Sequence, residues 1–243
     1  MTDIYFGFKI YINLSKKGIN IMENSALKFI GIESGFGKNN NSAYIELDDK
    51  FILIDCGFTV FDKLKEKFDF NKYKSINVII THLHNDHAGS LTQFILYMWY
   101  IYNKKVIVIS KCKNMEQYLK ITGAPKEAYE LLDDFENIEF IKTEHVKELD
   151  CYGFRARFNN KNILYTGDTK IIEPFLKYLY NLDELYIDVS KYGGVHIKFE
   201  DVIEKLRKIK IQGVNIYLMH IDDYEYINKI NNGEFYFGSH RDF

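Results

Sequence analysis

Proline is almost missing from this chain: Pro125 and Pro174 are the only two in 243 residues. No proline-rich or Ser/Gly-rich tract, low-complexity segment or short-period repeat interrupts the sequence, so nothing marks a linker and one compact domain is the simplest organisation. Cysteine is equally sparse. Cys56, Cys112 and Cys151 are widely spaced and form no CxxC pair, which argues against a disulfide framework and a cysteine zinc site and fits a reducing cytoplasm. Long apolar runs are lacking as well. The longest, FILYMWYIY from Phe94 to Tyr102, falls far short of the roughly 20 residues that span a bilayer. Neither sign dominates the charge: 32 Lys and Arg against 34 Asp and Glu leave a formal −2. No global positive field would draw this chain onto nucleic acid or an anionic membrane, and any nucleic-acid contact would be local.

The first 21 residues have no cationic start followed by an apolar core and a small-residue cleavage site, so they do not read as a secretory signal. Met22 opens MENSALKFIGIE, which reads as a first strand. The expectation is an N-terminal extension over 1–21 outside the fold, with translation starting at Met22, and a single domain over 22–243.

What is present suffices for a core: 47% of residues are apolar and 16% aromatic. LKFIGI, SAYIEL and FILIDCG are short β-rich runs, the last two separated by Asp48, Asp49 and Lys50, and they predict an antiparallel meander. Val60 to Phe68 has helical spacing, and INVII is an all-apolar strand. After it, Leu91, Phe94, Ile95, Met98, Trp99 and Tyr102 share one helical face. Tyr97, Tyr100 and Ile101 add apolar surface elsewhere on that helix, so it is either buried all round or covered by a second copy in a homodimer formed through 90–102. The second half alternates again: strand VIVIS, helical stretches from Met115 to Phe135, strand IEFIK, a hairpin YGFRARFNNKNILYTGD turning at Asn159, Asn160 and Lys161, a helix from Glu173, strand ELYIDVS, a helix from Phe199 and strand NIYLMH. The class is α/β with substantial antiparallel content.

The chemistry concentrates in THLHNDHAGS, Thr81 to Ser90, on the loop that follows INVII. His82 and His84 alternate and can point the same way from an extended segment, while Asp86 and His87 lie one short turn further on, so two adjacent metal sites could share the loop. Imidazole and carboxylate suit divalent zinc, iron or manganese, and a site without cysteine favours a catalytic metal. Further candidates stand at strand ends: His145 after IEFIKTE, Asp168 in YTGDT and His220 at the end of NIYLMH. Alone, a histidine in such a place is more often an ordinary polar residue.

Through THLHNDHAGS, the isolated His145, LYTGDT and LMHID in that order, the chain resembles the metallo-β-lactamase-fold hydrolases, over about Met22 to Asp222. The resemblance implies a four-layer αβ/βα sandwich with the site at one edge. It implies two divalent metal ions, zinc first and iron or manganese otherwise, one held by His82, His84 and His145, the other by Asp86, His87 and His220, with Asp168 bridging and Asp55 supporting. A bridging hydroxide would then be the nucleophile, with Asp86 in the catalytic machinery. A subset, the tRNase Z-like phosphodiesterases, places a histidine between the GDT aspartate and the last histidine; His196 in GGVHIKFED is similar, and Asp188 in YIDVS is similar to the acid that orients it. That would let His196 assist a leaving group. The ordinary reading of His196, a solvent-facing or helix-start residue, stays open. HIKF and DVSK depart from the subset, and no long glycine-rich arm for gripping tRNA is evident.

The reading is therefore a cytoplasmic dinuclear hydrolase acting as a phosphodiesterase on a small-molecule or nucleotide substrate. The alternatives are a thioester or lactone hydrolase on the same site, and a nonhydrolytic protein that sequesters a nucleotide. GFGKNNNS, Gly35 to Ser42, lacks the ending of a phosphate-binding P-loop and reads as a lip near the site. Lys198, Lys205, Arg207, Lys208 and Lys210 read as a solvated helix face.

Overall fold

Alternation of apolar residues sets the two faces of the first sheet. In β3 (Lys50–Ile54) Phe51 and Leu53 enter one core, whereas Ile52 and Ile54 enter the other. β1 (Lys28–Gly31) and β2 (Ser42–Leu47) precede it as an antiparallel meander, with Asp48 at φ 52° in the β2–β3 turn. β3 pairs in parallel with β4 (Ser75–Ile79), β4 with β5 (Val106–Ile109) and β5 with β6 (Tyr129–Leu132). The second sheet consists of β7 (Ile138–Lys142), β8 (Tyr152–Phe158), β9 (Lys161–Tyr165), β10 (Glu184–Asp188), β11 (Asn215–Met219) and β12 (Tyr236–Phe237), in the order β12-β11-β10-β9-β8-β7. This computed structural model describes residues 25–238. The 1–21 extension and the Met22 start lie outside the described residues.

The helices are α1 (Val60–Lys67), α2 (Asn85–Ala88), α3 (Leu91–Tyr102), α4 (Met115–Ile121), α5 (Phe199–Ile211) and α6 (Tyr224–Asn231). Leu64 of α1, Phe94 and Met98 of α3 and Leu119 of α4 cover one face of the first sheet. Ile54, Ile79 and Ile109 on its other face share a core with Phe154, Tyr165 and Leu185 of the second sheet, and with Val202, Leu206 and Ile209 of α5. The result is an α/β, four-layer αβ/βα sandwich. Each fully buried side chain of this size contributes about 1.5–3 kcal/mol.

Three expectations are corrected. The helical reading of Met115 to Phe135 fails after Ile121: Gly123 turns the chain at φ 89°, Pro125 cannot continue a helix, and after a 3-10 turn the chain becomes β6. The helix from Glu173 is a single 3-10 segment, Glu173–Tyr178, with Pro174 in its first turn and Asn181 at φ 54° just beyond it. α3 is not buried all round in the single chain, since Tyr100 and Ile101 are 70% and 64% exposed.

Strand direction gathers the site. β3 and β4 are parallel to each other, β9, β10 and β11 run together, and β7, antiparallel to β8, runs the same way as β9. The C-terminal ends of each set therefore open onto one edge of the sandwich. Asp55, Thr81 to His87, His145, Asp168, Asp188 and His220 lie at those ends.

Candidate metal centre

Left-handed backbone at three strand ends aims the site inward. Asp55 after β3 (φ 60°), Gly167 after β9 (φ 57°) and His220 after β11 (φ 55°) all leave the extended region. For a non-glycine residue this conformation is strained and persists only when its surroundings fix it. Between β4 and α3, the His84 carbonyl accepts the amides of His87 (3.0 Å) and Ala88 (2.9 Å). That turn forms α2 and brings Asp86 and His87 back over His82 and His84.

Three overlapping groups of potential metal ligands result, all sharing Asp168: two of them use the seven residues singled out in the sequence and are the two clusters described next, and the third is Asp168, Asp188, His196 and His220. In the first, His84 Nδ1 lies 3.0 Å from His82 Nε2 and 3.3 Å from His145 Nε2, and Asp168 Oδ2 lies 3.7 Å from both Nε2 atoms. In the second, His87 Nε2 is 3.2 Å from Asp86 Oδ2, 3.3 Å from His220 Nε2 and 3.3 Å from Asp168 Oδ2. His220 Nε2 is 3.1 Å from Asp86 Oδ2 and 3.4 Å from Asp168 Oδ2. A tetrahedral zinc with ligands at about 2.0–2.1 Å would space its donors about 3.3–3.4 Å apart. Nitrogen and carboxylate donors at these separations fit divalent metal. The structure brings together all seven residues singled out in the sequence, and the other Asp168 oxygen, Oδ1, is buried without a hydrogen-bond partner.

Surrounding groups fix the rings. His87 Nδ1 donates to Asp55 Oδ2 (2.8 Å), and Asp55 also accepts the Thr81 amide (2.9 Å) and hydroxyl. His82 Nδ1 lies 3.1 Å from that hydroxyl, so Thr81 links His82 to the same carboxylate. His145 Nδ1 donates to the Val195 carbonyl at 2.8 Å, and His220 Nδ1 lies 3.5 Å from Asp188 Oδ1. The contacts of His82, His87 and His145 leave Nε2 free for the centre and fix the tautomer, whereas His220 Nδ1 and Asp188 Oδ1 are buried without a hydrogen-bond partner.

The electrostatics show which charge the site wants. Burial holds His82, His84 and His145 below the ordinary imidazole range. Burial also opposes charge on His87 and His220, yet Asp168 with Asp55 and Asp86 pushes His87 well above it. Asp168 and Asp188 push His220 up to about 10. Burial works against ionisation of Asp86 and Asp168 too, and the neighbouring histidines still hold both well below the usual carboxylate range. The carboxylates of the site thus favour positive charge beside them.

His196 stands beside this centre. Its Nδ1 is 2.9 Å from Asp188 Oδ2, a buried carboxylate that also accepts the Thr169 amide at 3.1 Å. Burial opposes its charge, and Asp188 outweighs that, raising its pKa. Its ring lies 5.0 Å from that of His145 and 4.8 Å from that of His220. A cavity of about 930 Å³ opens over these residues, lined also by Phe36, Phe58, Tyr192, Val195 and Tyr224. Gly35 and Gly37 belong to its rim, and a side chain at Gly35 would come within 3.1 Å of the Asp86 carboxylate. Of the α5 cations, Lys205 pairs with Glu173 and Arg207 with Glu204 and Glu234.

Sequence reasoning missed Val195, which acts through its carbonyl, and Ser190 and Asp222, which fix the loop carrying His196. A backbone acceptor has no sequence signature. The proximity of Asp222 to His220 was the one available sign.

Fold and centre together define a metallohydrolase of the metallo-β-lactamase fold. Within that class the chain belongs to the family described as Anti-Pycsar protein Apyc1, whose model matches residues 25–119 and 109–242. An Anti-Pycsar protein Apyc1 from Bacillus phage vB_BsuM-Goe3 is 26% identical over 238 residues, covering 84% of this chain and 91% of the relative. Among solved structures, the metallo-β-lactamase fold protein YhfI from Bacillus subtilis superposes with a TM-score of 0.69 at 19% identity, over 88% of this chain and 94% of YhfI. The short form of human tRNase Z gives 0.63 at 13%, over 82% and 93%. Both likenesses concern the fold. No helix among the described residues is long and apolar enough to cross a membrane.

Proposed function

We propose that the chain is a phosphodiesterase acting on a small nucleotide substrate, with two divalent metal ions, zinc first, held by His82, His84, His145 and Asp168 and by Asp86, His87, His220 and Asp168. The observation that carries the reading is His196. It lies outside the two ligand sets named above, the third group of Asp168, Asp188, His196 and His220 uses its Nδ1, which already sits on Asp188, and its ring faces the cavity. When bound, the ions would supply Lewis-acid charge and an acidified water. The chain's own part is a proton held on His196 Nε2. With Nδ1–H fixed on Asp188, that proton is directed to the leaving alkoxide, and Asp188 balances the charge of the imidazolium before transfer. Hydrolysis of a thioester expels a thiolate that needs little protonation and gives His196 a smaller task, whereas a lactone also expels an alkoxide and is separated from the diester by the assay below.

The cavity volume suits a small molecule, and the aromatic rings of Phe36, Phe58 and Tyr192 at its rim offer flat apolar surface for a base. The family name adds a role, action against Pycsar, which we extend to this chain.

The test is steady-state hydrolysis of bis(p-nitrophenyl) phosphate, a p-nitrophenyl ester and a thioester by metal-reconstituted protein, for wild type and Asp86→Ala. The dinucleoside phosphate uridylyl-uridine, which leaves as an alkoxide, is assayed with His196→Ala. Diester cleavage abolished by Asp86→Ala, and alkoxide release slowed roughly 10²–10⁴-fold by His196→Ala, supports the reading. Turnover of the carbonyl substrates alone refutes it, and binding of nucleotide without turnover would make the protein a sequestering one.

A further inference from the structure

The loop that carries His196 is tied down by residues with no place in the metal clusters. It leaves β10 at Asp188 and is closed at its neck, where the Ser190 amide donates to the Ile197 carbonyl at 2.8 Å. At its start the Ser190 hydroxyl donates to Asp222 Oδ2, and the Lys191 amide donates to Asp222 Oδ1 at 2.9 Å. The same hydroxyl accepts the amides of Tyr192 and Gly193, both at 3.0 Å. Lys191 Nζ reaches Asp223 Oδ2 at 2.7 Å, and Asp223 caps α6 by accepting the Tyr226 amide at 3.0 Å. Beyond these ties come Gly193 and Gly194, both left-handed at φ 72° and 76°, and a side chain at Gly194 would meet nothing within 4 Å. The segment between the tie and His196 is therefore permissive, and the ties decide where the imidazole goes.

We propose that Asp222 is a positioning residue for His196, acting through the Ser190 hydroxyl and the Lys191 amide to hold the 190–197 loop over the cavity. Asp222 touches neither cluster, and its two carboxylate oxygens are used on two successive residues of the loop, which fixes the loop's direction as well as its place. This rests on the reading of His196 as proton donor to a leaving alkoxide.

Metal-loaded wild type, Asp222→Ala, His196→Ala and the double variant are compared on two diesters. Bis(p-nitrophenyl) phosphate has a leaving group that needs little protonation, whereas a dinucleoside phosphate leaves as an alkoxide. Asp222→Ala is expected to lower kcat on the dinucleoside phosphate by on the order of 10²-fold, the scale for a small misplacement of a reacting group. KM and metal content should stay near wild type, and bis(p-nitrophenyl) phosphate should lose only a few fold. In the His196→Ala background the same substitution should cost nothing more. Asp222→Asn keeps an acceptor for the loop and recovers part of the loss. Equal losses on both substrates, full additivity with His196→Ala, or a loss explained by missing metal would overturn the inference. If His196→Ala is costly and Asp222→Ala is silent, the positioning role alone fails. If His196→Ala is itself silent on the alkoxide substrate, the proton-donor reading fails and the positioning role falls with it.

Discussion

Replacing Asp55 with Asn would separate support of the metal centre from the centre itself. Asp55 is fully buried and accepts from His87 Nδ1 (2.8 Å), the Thr81 amide (2.9 Å) and the Thr81 hydroxyl. Asn keeps the shape and one acceptor. If its Oδ1 serves Thr81, its Nδ2–H faces His87 Nδ1, and the ring is satisfied only by moving its hydrogen to Nε2. That nitrogen is the one placed 3.3 Å from Asp168 and from His220, so the tautomer that suits Asn blocks the second site. Loss of such a supporting contact costs about 10–100-fold in metal affinity, or about 1.4–2.8 kcal/mol. Titration of chelator-stripped protein with zinc against a competing indicator should show one site weakened by that factor. The other, built on His84 and His145, should change much less. Two sites with wild-type affinity in Asp55→Asn would refute the reasoning.

Three further predictions follow from the same geometry. His87 and His220 have raised pKa values in the folded chain, so their stabilising contribution is complete below the unfolded value of about 6.5 and is lost as pH rises, for His220 through about 10; thermal melts of metal-free protein should show that loss, and zinc binding at pH near 7 should release about two protons, read by calorimetry in buffers of different ionisation enthalpy. Phe94→Ala empties a fully buried position packed 5.5 Å from Phe70 and should cost roughly 3–5 kcal/mol in urea unfolding, against less than about 0.5 kcal/mol for Tyr100→Ala on the exposed side of α3. Gly57→Ala would place a methyl 1.9 Å from the Asp86 carbonyl oxygen and should displace α2, lowering metal content at the site with Asp86 and His87 even where the chain still folds, as elemental analysis would show.

Legibility in the sequence followed how local each signal was. THLHNDH places four chemistry-bearing side chains in one short segment after an unmistakable strand, and nothing ordinary explains that density. His145, Asp168 and His220 were readable because each follows an apolar run, and parallel strands end on the same edge. β6 was hidden, since Ala128, Leu131 and Leu132 continue the helical spacing of the preceding residues. What defeats the pattern is backbone conformation at Gly123 and Pro125. Pairing with β5 then supplies hydrogen bonds that no periodicity announces. α6 and β12 escaped for a related reason: a short amphipathic segment that packs Ile227 into the core and Tyr224 against Phe237, and a two-residue edge strand paired with β11, exist by docking, and their own sequence barely specifies them.

One peptide joins two functions at this centre. Val195 gives its carbonyl to His145 Nδ1, and the next residue, His196, gives its Nδ1–H to Asp188. A displacement of the loop therefore acts at once on the orientation of a ligand ring and on the site of the proposed proton donor. The two consequences differ in size. His145 is also confined by its own strand end and by His82 and His84 around it, whereas His196 is placed by the loop and a single carboxylate. Loosening the loop should then be felt first at His196, with metal retained. For that reason kcat on a poor leaving group, and not metal content, is the sensitive measure of how well the 190–197 segment is held.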